Sequence, residues 1–179
     1  MKKISLAGLL LACLATSAFA QESSPVSNIK VNILSPLART FSGFYERKIA
    51  SNASVQLGLS FTGAELDDVE LNGWSITPEF RYYAGQKGAM QGFYVAPFMR
   101  FGNFEVSDDL AKADLKSVGG GLLIGNQWIF TKGLSLDIFM GPSYSSGNLK
   151  LTEGQAEPDA PSTVNGFGLR AGLTLGIAF

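Results

Sequence analysis

Hydrophobic and polar residues alternate with a period of two along most of this chain. The final segment carries the pattern most cleanly. Phe167, Leu169, Ala171, Leu173, Leu175, Ile177 and Phe179 are apolar, while Gly166, Gly168, Arg170, Gly172, Thr174, Gly176 and Ala178 are mostly small or polar. Such a period defines a strand with one greasy face. It recurs upstream in Val55, Leu57, Leu59 and Phe61, and in Trp74, Ile76, Pro78, Phe80 and Tyr82. Phe93, Val95, Pro97, Met99 and Phe101 repeat it, as do Leu134, Leu136, Ile138 and Met140. Val118, Leu122, Ile124, Trp128 and Phe130 share a face that only Asn126 interrupts. Two weaker strands, over 29–35 and 40–49, bring the expected number to eight. An even number lets neighbours run up and down and close, leaving no edge.

The links alternate in character. Those over 50–53, 84–91 and 131–133 are short or modest, whereas 64–72, 106–114 and 149–163 are longer and acidic. The first link, 36–39, belongs with the long set by order and yet is tight. Short turns at one end and long loops at the other are usual in outer-membrane barrels.

The first twenty residues read as an address. Lys2 and Lys3 precede an apolar run over 4–14, and Ala18-Phe19-Ala20 offers a small-x-small cleavage site at Ala18 and Ala20. The favoured division is therefore a signal peptide over 1–20 and one barrel domain over 21–179. Leu10-Leu11-Ala12-Cys13 also resembles a lipobox, which would make Cys13 a lipidated anchor instead. No later run reaches the roughly 20 predominantly apolar residues that a spanning helix needs.

Composition sharpens the picture. Hydrophobic residues make up 46% of the chain and charged residues 16%, with 21 Gly, one Cys and no His. Zero histidine removes Ser-His-Asp triads and His-ligated metals, so no enzyme, no cofactor and no metal site are expected. A net charge of −1 gives no basic footprint for nucleic acid. The polar face carries mainly Gly, Ser, Thr, Asn and Gln rather than Lys and Glu, which suits the crowded interior of a small barrel. Large apolar residues then face lipid, with Trp74, Tyr82, Phe93, Trp128, Phe130 and Phe179 near strand ends where aromatic girdles sit. The fold class is accordingly all-β, an eight-stranded antiparallel up-and-down transmembrane β-barrel behind a cleaved signal peptide.

Several segments resemble those of small eight-stranded outer-membrane barrels of Gram-negative bacteria, of the OmpX or OmpA-transmembrane-domain kind, and of an uncharacterised barrel family in particular. They are Phe44-Tyr45-Glu46-Arg47, the run from Ile76 to Tyr83, the run from Gly92 to Pro97, and Gly119-Gly120-Gly121-Leu122-Leu123-Ile124-Gly125. The terminal Phe179 resembles the signal read by the outer-membrane insertion machinery. The resemblance implies a monomer in the outer membrane, in contact with lipid and lipopolysaccharide. It says nearly nothing about activity.

Three groups of residues could carry function. Parity turns Glu46, Glu79, Arg81, Arg100, Asp137 and Arg170 inward, three acids and three bases, formally neutral. The bland reading is a structural plug, and the sharper ones are an acid pair for hydrolysis or a gated ion path. Pro78 and Pro97 lie six residues either side of the 84–91 link, so a symmetric hairpin would oppose them and open a lateral gap for a lipid-like molecule. Glu65, Asp67, Asp68 and Glu70, then Asp108, Asp109 and Asp114, then Glu153, Glu157 and Asp159 form acidic loops. Such runs are usually just solvated, though they could share divalent cations with lipopolysaccharide. A structural or surface-interaction role is expected. The alternative is a carrier or conduit for a small hydrophobic molecule, including a soluble lipocalin-like barrel.

Overall fold

The computed structural model describes residues 25–66, 69–85, 87–107, 112–153 and 163–179. Eight strands follow one another around a closed antiparallel barrel. They are β1 (Ser27–Asn32), β2 (Thr40–Ala50), β3 (Ala53–Leu66), β4 (Val69–Tyr83), β5 (Gly92–Ser107), β6 (Lys112–Ile129), β7 (Leu134–Glu153) and β8 (Thr163–Ala178). Each pairs with its chain neighbour, and β1 closes the ring against β8 from Asn28–Ala178 to Asn32–Thr174. Both described ends of the chain meet at the short-turn end, where the Val26 and Ser27 amides donate to the Phe179 carbonyl at 2.9 Å.

Alternation sets the two faces. Val55, Leu57, Leu59, Phe61, Leu134, Ile138 and Met140 point outward and are exposed, while Glu46, Glu79, Arg81 and Asp137 are buried inside. The outer surface is greasy and the lumen is polar, the reverse of a water-soluble barrel.

Three features depart from the sequence expectation. The first strand is shorter than 29–35, because Pro36 removes a ladder donor and the chain turns into a 3-10 turn over Ser35–Ala38. The ladder on β8 therefore ends at Leu173, whose carbonyl accepts from the Ile33 amide at 2.9 Å. Above it no strand among the described residues pairs with that edge of β8, and Phe167 and Leu169 are 89% and 70% exposed. Second, the expected acidic loops are largely hairpin. The β3–β4 ladder continues to Glu65–Glu70 and Leu66–Val69, and β6 includes Asp114, which pairs with Lys150 of β7. Alternation simply continues past the apolar band, and backbone pairing continues with it. Third, the 84–91 link is a plug rather than a bare turn. Ala89 and Met90 tuck under the barrel and are buried, the Ala89 amide donating to the Ser51 carbonyl at 2.7 Å.

Glycine on the inner face makes room for rings. Inward aromatics lie across from glycines on the neighbouring strand: Phe44 from Gly58, Tyr94 from Gly125, Phe98 from Gly121, Phe104 from Gly73, and Phe139 from Gly172. A Cβ on Gly58 would come within 2.8 Å of the Phe44 ring, and one on Gly125 within 2.5 Å of the Tyr94 hydroxyl. Large and small positions thus interdigitate within a narrow lumen. Gly125→Ala should lower the unfolding free energy by about 1–3 kcal/mol, the usual cost of overpacking. Gly166→Ala, where a Cβ meets nothing within 4 Å, should change it by about 0.5 kcal/mol or less. Urea titration followed by tryptophan fluorescence compares the two.

Candidate functional site

The lumen toward the short-turn end holds a continuous ion and hydrogen-bond network. Lys30 donates to Glu46 Oε2 and Gln127 Oε1, each at 2.7 Å, and to Asp137 Oδ2 at 3.1 Å. Arg81 binds Glu79 Oε1 through Nε and Asp137 Oδ2 through Nη1, both at 2.7 Å, and its guanidinium lies 4.3 Å from the Tyr94 ring centroid. Ser54 and Tyr83 hydroxyls donate to Glu46 Oε1 at 2.5 and 2.6 Å, and Tyr94 donates to Asp137 Oδ1 at 2.8 Å. Gln56 Nε2 reaches Glu79 Oε1 at 3.2 Å, and Arg170 Nη1 reaches Glu79 Oε2 at 2.9 Å. Gln127 Nε2 donates to the Met90 carbonyl at 2.8 Å, which ties the network to the plug and holds Met90 at φ +72°. Every one of the eight strands contributes at least one side chain.

Of the six residues assigned inward by parity, Glu46, Glu79, Arg81, Asp137 and Arg170 meet in this network. Arg100 does not. It spends Nε and Nη2 on one acceptor, the Ser75 hydroxyl, at 3.1 and 3.0 Å, and makes no ion pair among the described residues. The expectation of neutrality needs correction, because Lys30 was absent from it. Four cations, Lys30, Arg81, Arg100 and Arg170, stand against the carboxylates Glu46, Glu79 and Asp137. The signal for Lys30 was present in Ile29, Val31 and Ile33, which alternate with Asn28, Lys30 and Asn32. Gln127, Tyr83 and Tyr94 were legible by the same parity.

Above the network, toward the long hairpins, the lumen widens into a cavity of about 220 Å³. Ser42, Ser60, Thr77, Arg100 and Arg170 line it, with Phe44 and Phe139 beside them and the Ser35–Ala38 turn at its rim. Arg170 stacks 4.6 Å from the Phe98 ring centroid and 5.1 Å from that of Phe139.

The two prolines are not opposed. The register Glu79–Phe98 sets Pro78 across from Met99 and Pro97 across from Phe80, because Tyr83 pairs with Tyr94 and the 84–91 link folds inward asymmetrically. The β4–β5 ladder nevertheless thins there, running to Ile76–Phe101 and resuming only at Glu79–Phe98 and Tyr82–Val95. An external groove of about 600 Å³ lies over this stretch, lined by Leu57, Pro78, Phe80, Pro97 and Met99 among others. Asp67, Asp68, Asp108, Asp109, Glu157 and Asp159 lie outside the described residues, as do Cys13, Ala18 and Ala20. Among the described residues no group of three or more acidic, Cys or His side chains is placed to hold a metal. Phe179 sits on the outer face, 45% exposed.

The fold and its interior define an inside-out antiparallel barrel of eight strands, closed by a charged polar core. By sequence, the chain belongs to a family described as "protein of unknown function (DUF3575)", whose model matches residues 7–158. No curated protein and no solved structure matches it.

The network makes a contrast that stability measurements can read. Arg81→Ala strips Glu79 and Asp137 of a buried partner and should cost about 3–5 kcal/mol, and Lys30→Ala should fall in the same range. Arg100→Gln orphans no acid and should cost about 1 kcal/mol or less. The midpoints of urea unfolding in detergent distinguish the two classes.

Proposed function

We propose that this protein is a structural and surface-interaction barrel of the Gram-negative outer membrane, exported by the segment over 1–20 and monomeric in the bilayer. One observation carries the reading: the barrel presents its large apolar side chains outward and buries Lys30, Glu46, Glu79, Arg81 and Asp137 inside. Exposing such a surface to water would be costly, whereas lipid is the solvent that matches it. Outward Trp74, Tyr82, Phe93, Trp128 and Phe130 supply the aromatic anchors expected where a bilayer meets water. The plugged short-turn end would face the periplasm, with the long acidic hairpins outside among lipopolysaccharide. Assembly would go through the outer-membrane insertion machinery, with Phe179 as its recognition residue. No cofactor and no nucleic acid enters this reading.

A lumen closed at its short-turn end argues for a scaffold rather than a channel, and for no enzymatic role. A lipocalin-like carrier would need an apolar lining, and charged side chains occupy that space instead. The second reading, a conduit for a lipid-like molecule, draws support from the thinned β4–β5 ladder. If the barrel is plugged, the Phe80 and Met99 amides, which face the gap, should exchange with deuterium as slowly as those of Gln56 and Gly121, which face the unbroken ladders. Exchange at least tenfold faster at the first pair would favour the conduit.

The direct test of location is cell fractionation combined with a gel of boiled and unboiled samples. The expected result is an outer-membrane band whose mobility shifts on boiling. A soluble periplasmic band without a shift would overturn the membrane reading.

A further inference from the structure

Among the described residues, the charged cluster inside the barrel sets four cations against three carboxylates, and the excess is localised. Lys30 and Arg81 are each held by two acids or more, and Arg170 by Glu79. Arg100 has only the Ser75 hydroxyl, a neutral acceptor, so the rest of its donor fork has no protein acceptor among the described residues. A partly buried guanidinium without a counter-charge is unfavourable unless something anionic comes to it. Arg170 lines the same cavity and commits one nitrogen to Glu79, its plane steadied by Phe98 and Phe139. The Ser42 and Ser60 hydroxyls, hydrogen-bonded to each other at 2.9 Å, and the hydroxyl of Thr77 complete a polar wall.

We propose that this vestibule is a binding site for an oxyanion, a carboxylate or phosphate group, gripped by Arg100 and Arg170. Guanidinium forks match the planar or tetrahedral oxygens of such groups and bind them bidentately. About 220 Å³ is smaller than the pockets that enclose drug-sized ligands, so the site takes a small anion or the head of a larger molecule. Two routes reach it. A free oxyanion enters through the mouth between the long hairpins. An amphiphile enters past the unpaired edge of β8, where Leu169 and Phe167 are exposed and could accompany its chain while the head reaches Arg170. The inference rests on the lumen alone and does not depend on where the barrel resides in the cell.

The test uses the protein in a neutral maltoside detergent, with the side-chain Nε–H resonances of arginine followed by NMR. Inorganic phosphate and dodecyl phosphate are titrated separately into wild type, Arg100→Gln and Arg100→Lys. Saturable shifts of the Arg100 and Arg170 signals are expected, with binding at least tenfold weaker in Arg100→Gln and partly retained in Arg100→Lys. Saturation by inorganic phosphate identifies a free-anion site, and saturation by dodecyl phosphate alone identifies an amphiphile headgroup site. Either supports the proposal. Unchanged Arg100 and Arg170 signals with both probes, or equal affinity in wild type and a folded Arg100→Gln, would overturn it. The gel shift on boiling, or the unfolding midpoint, verifies that each variant is folded.

Discussion

Burying charge inside a ring of strands constrains everything else in this molecule. A carboxylate or guanidinium taken out of water costs several kcal/mol unless partners satisfy it. Here Glu46, Asp137, Arg81 and Lys30 are fully buried, and each is met by groups from other strands. The satisfying set needs all eight strands at once. Hydrogen-bonded strand pairing alone would tolerate a slipped register, but a slip of one residue would send the charges outward and the leucines inward. The network therefore fixes register as well as filling space. Its contribution is specificity of closure more than net stability, since a well-packed apolar core could be equally stable.

That demand also accounts for the glycines. A lumen that must hold Tyr83, Tyr94, Phe98 and Phe139 alongside a seven-charge system has no room for side chains at every inward position. Gly121, Gly125 and Gly172 lie beneath these rings on adjacent strands. The Tyr94 hydroxyl can reach Asp137 because Gly125 leaves the space above it open. The inner-face glycines are thus part of the electrostatic arrangement, one step removed.

Much of this was legible before any coordinates. Period-two alternation assigns the face of every strand it covers, and neither Leu57 nor Glu79 turns otherwise. What alternation cannot supply is register between strands. Pro78 and Pro97 are placed opposite each other only if the link between them is symmetric, and the inward fold of Ala89 and Met90 makes it asymmetric. Strand ends are equally hidden, because acidic residues such as Glu70 and Asp114 look like loop but pair in extended hairpins. Lys30 is hidden for a different reason: β1 is six residues long, too short for its alternation to stand out against its neighbours. Partner choice was least visible. Parity puts Arg100 inside along with Arg81, but only three-dimensional register shows that one meets acids and the other a serine.

The shortness of β1 connects these observations. A longer first strand would have sealed the upper edge of β8 and continued the alternation of Asn28, Lys30 and Asn32 into the vestibule. Pro36 prevents that, and the 3-10 turn that contains it rims a cavity that a strand would have filled. The two ends of the barrel are consequently unlike. At one, Met90 and the Glu46–Lys30–Asp137–Arg81 cluster close the lumen with compensated charge. At the other, among the described residues, no strand pairs with the upper edge of β8 and no carboxylate meets Arg100, which leaves open space beside positive charge. A purely structural plug would gain nothing from a cation held away from the three acids below it. The asymmetry of charge and the asymmetry of the wall fall at the same end, as a site open to an anion from outside the barrel requires.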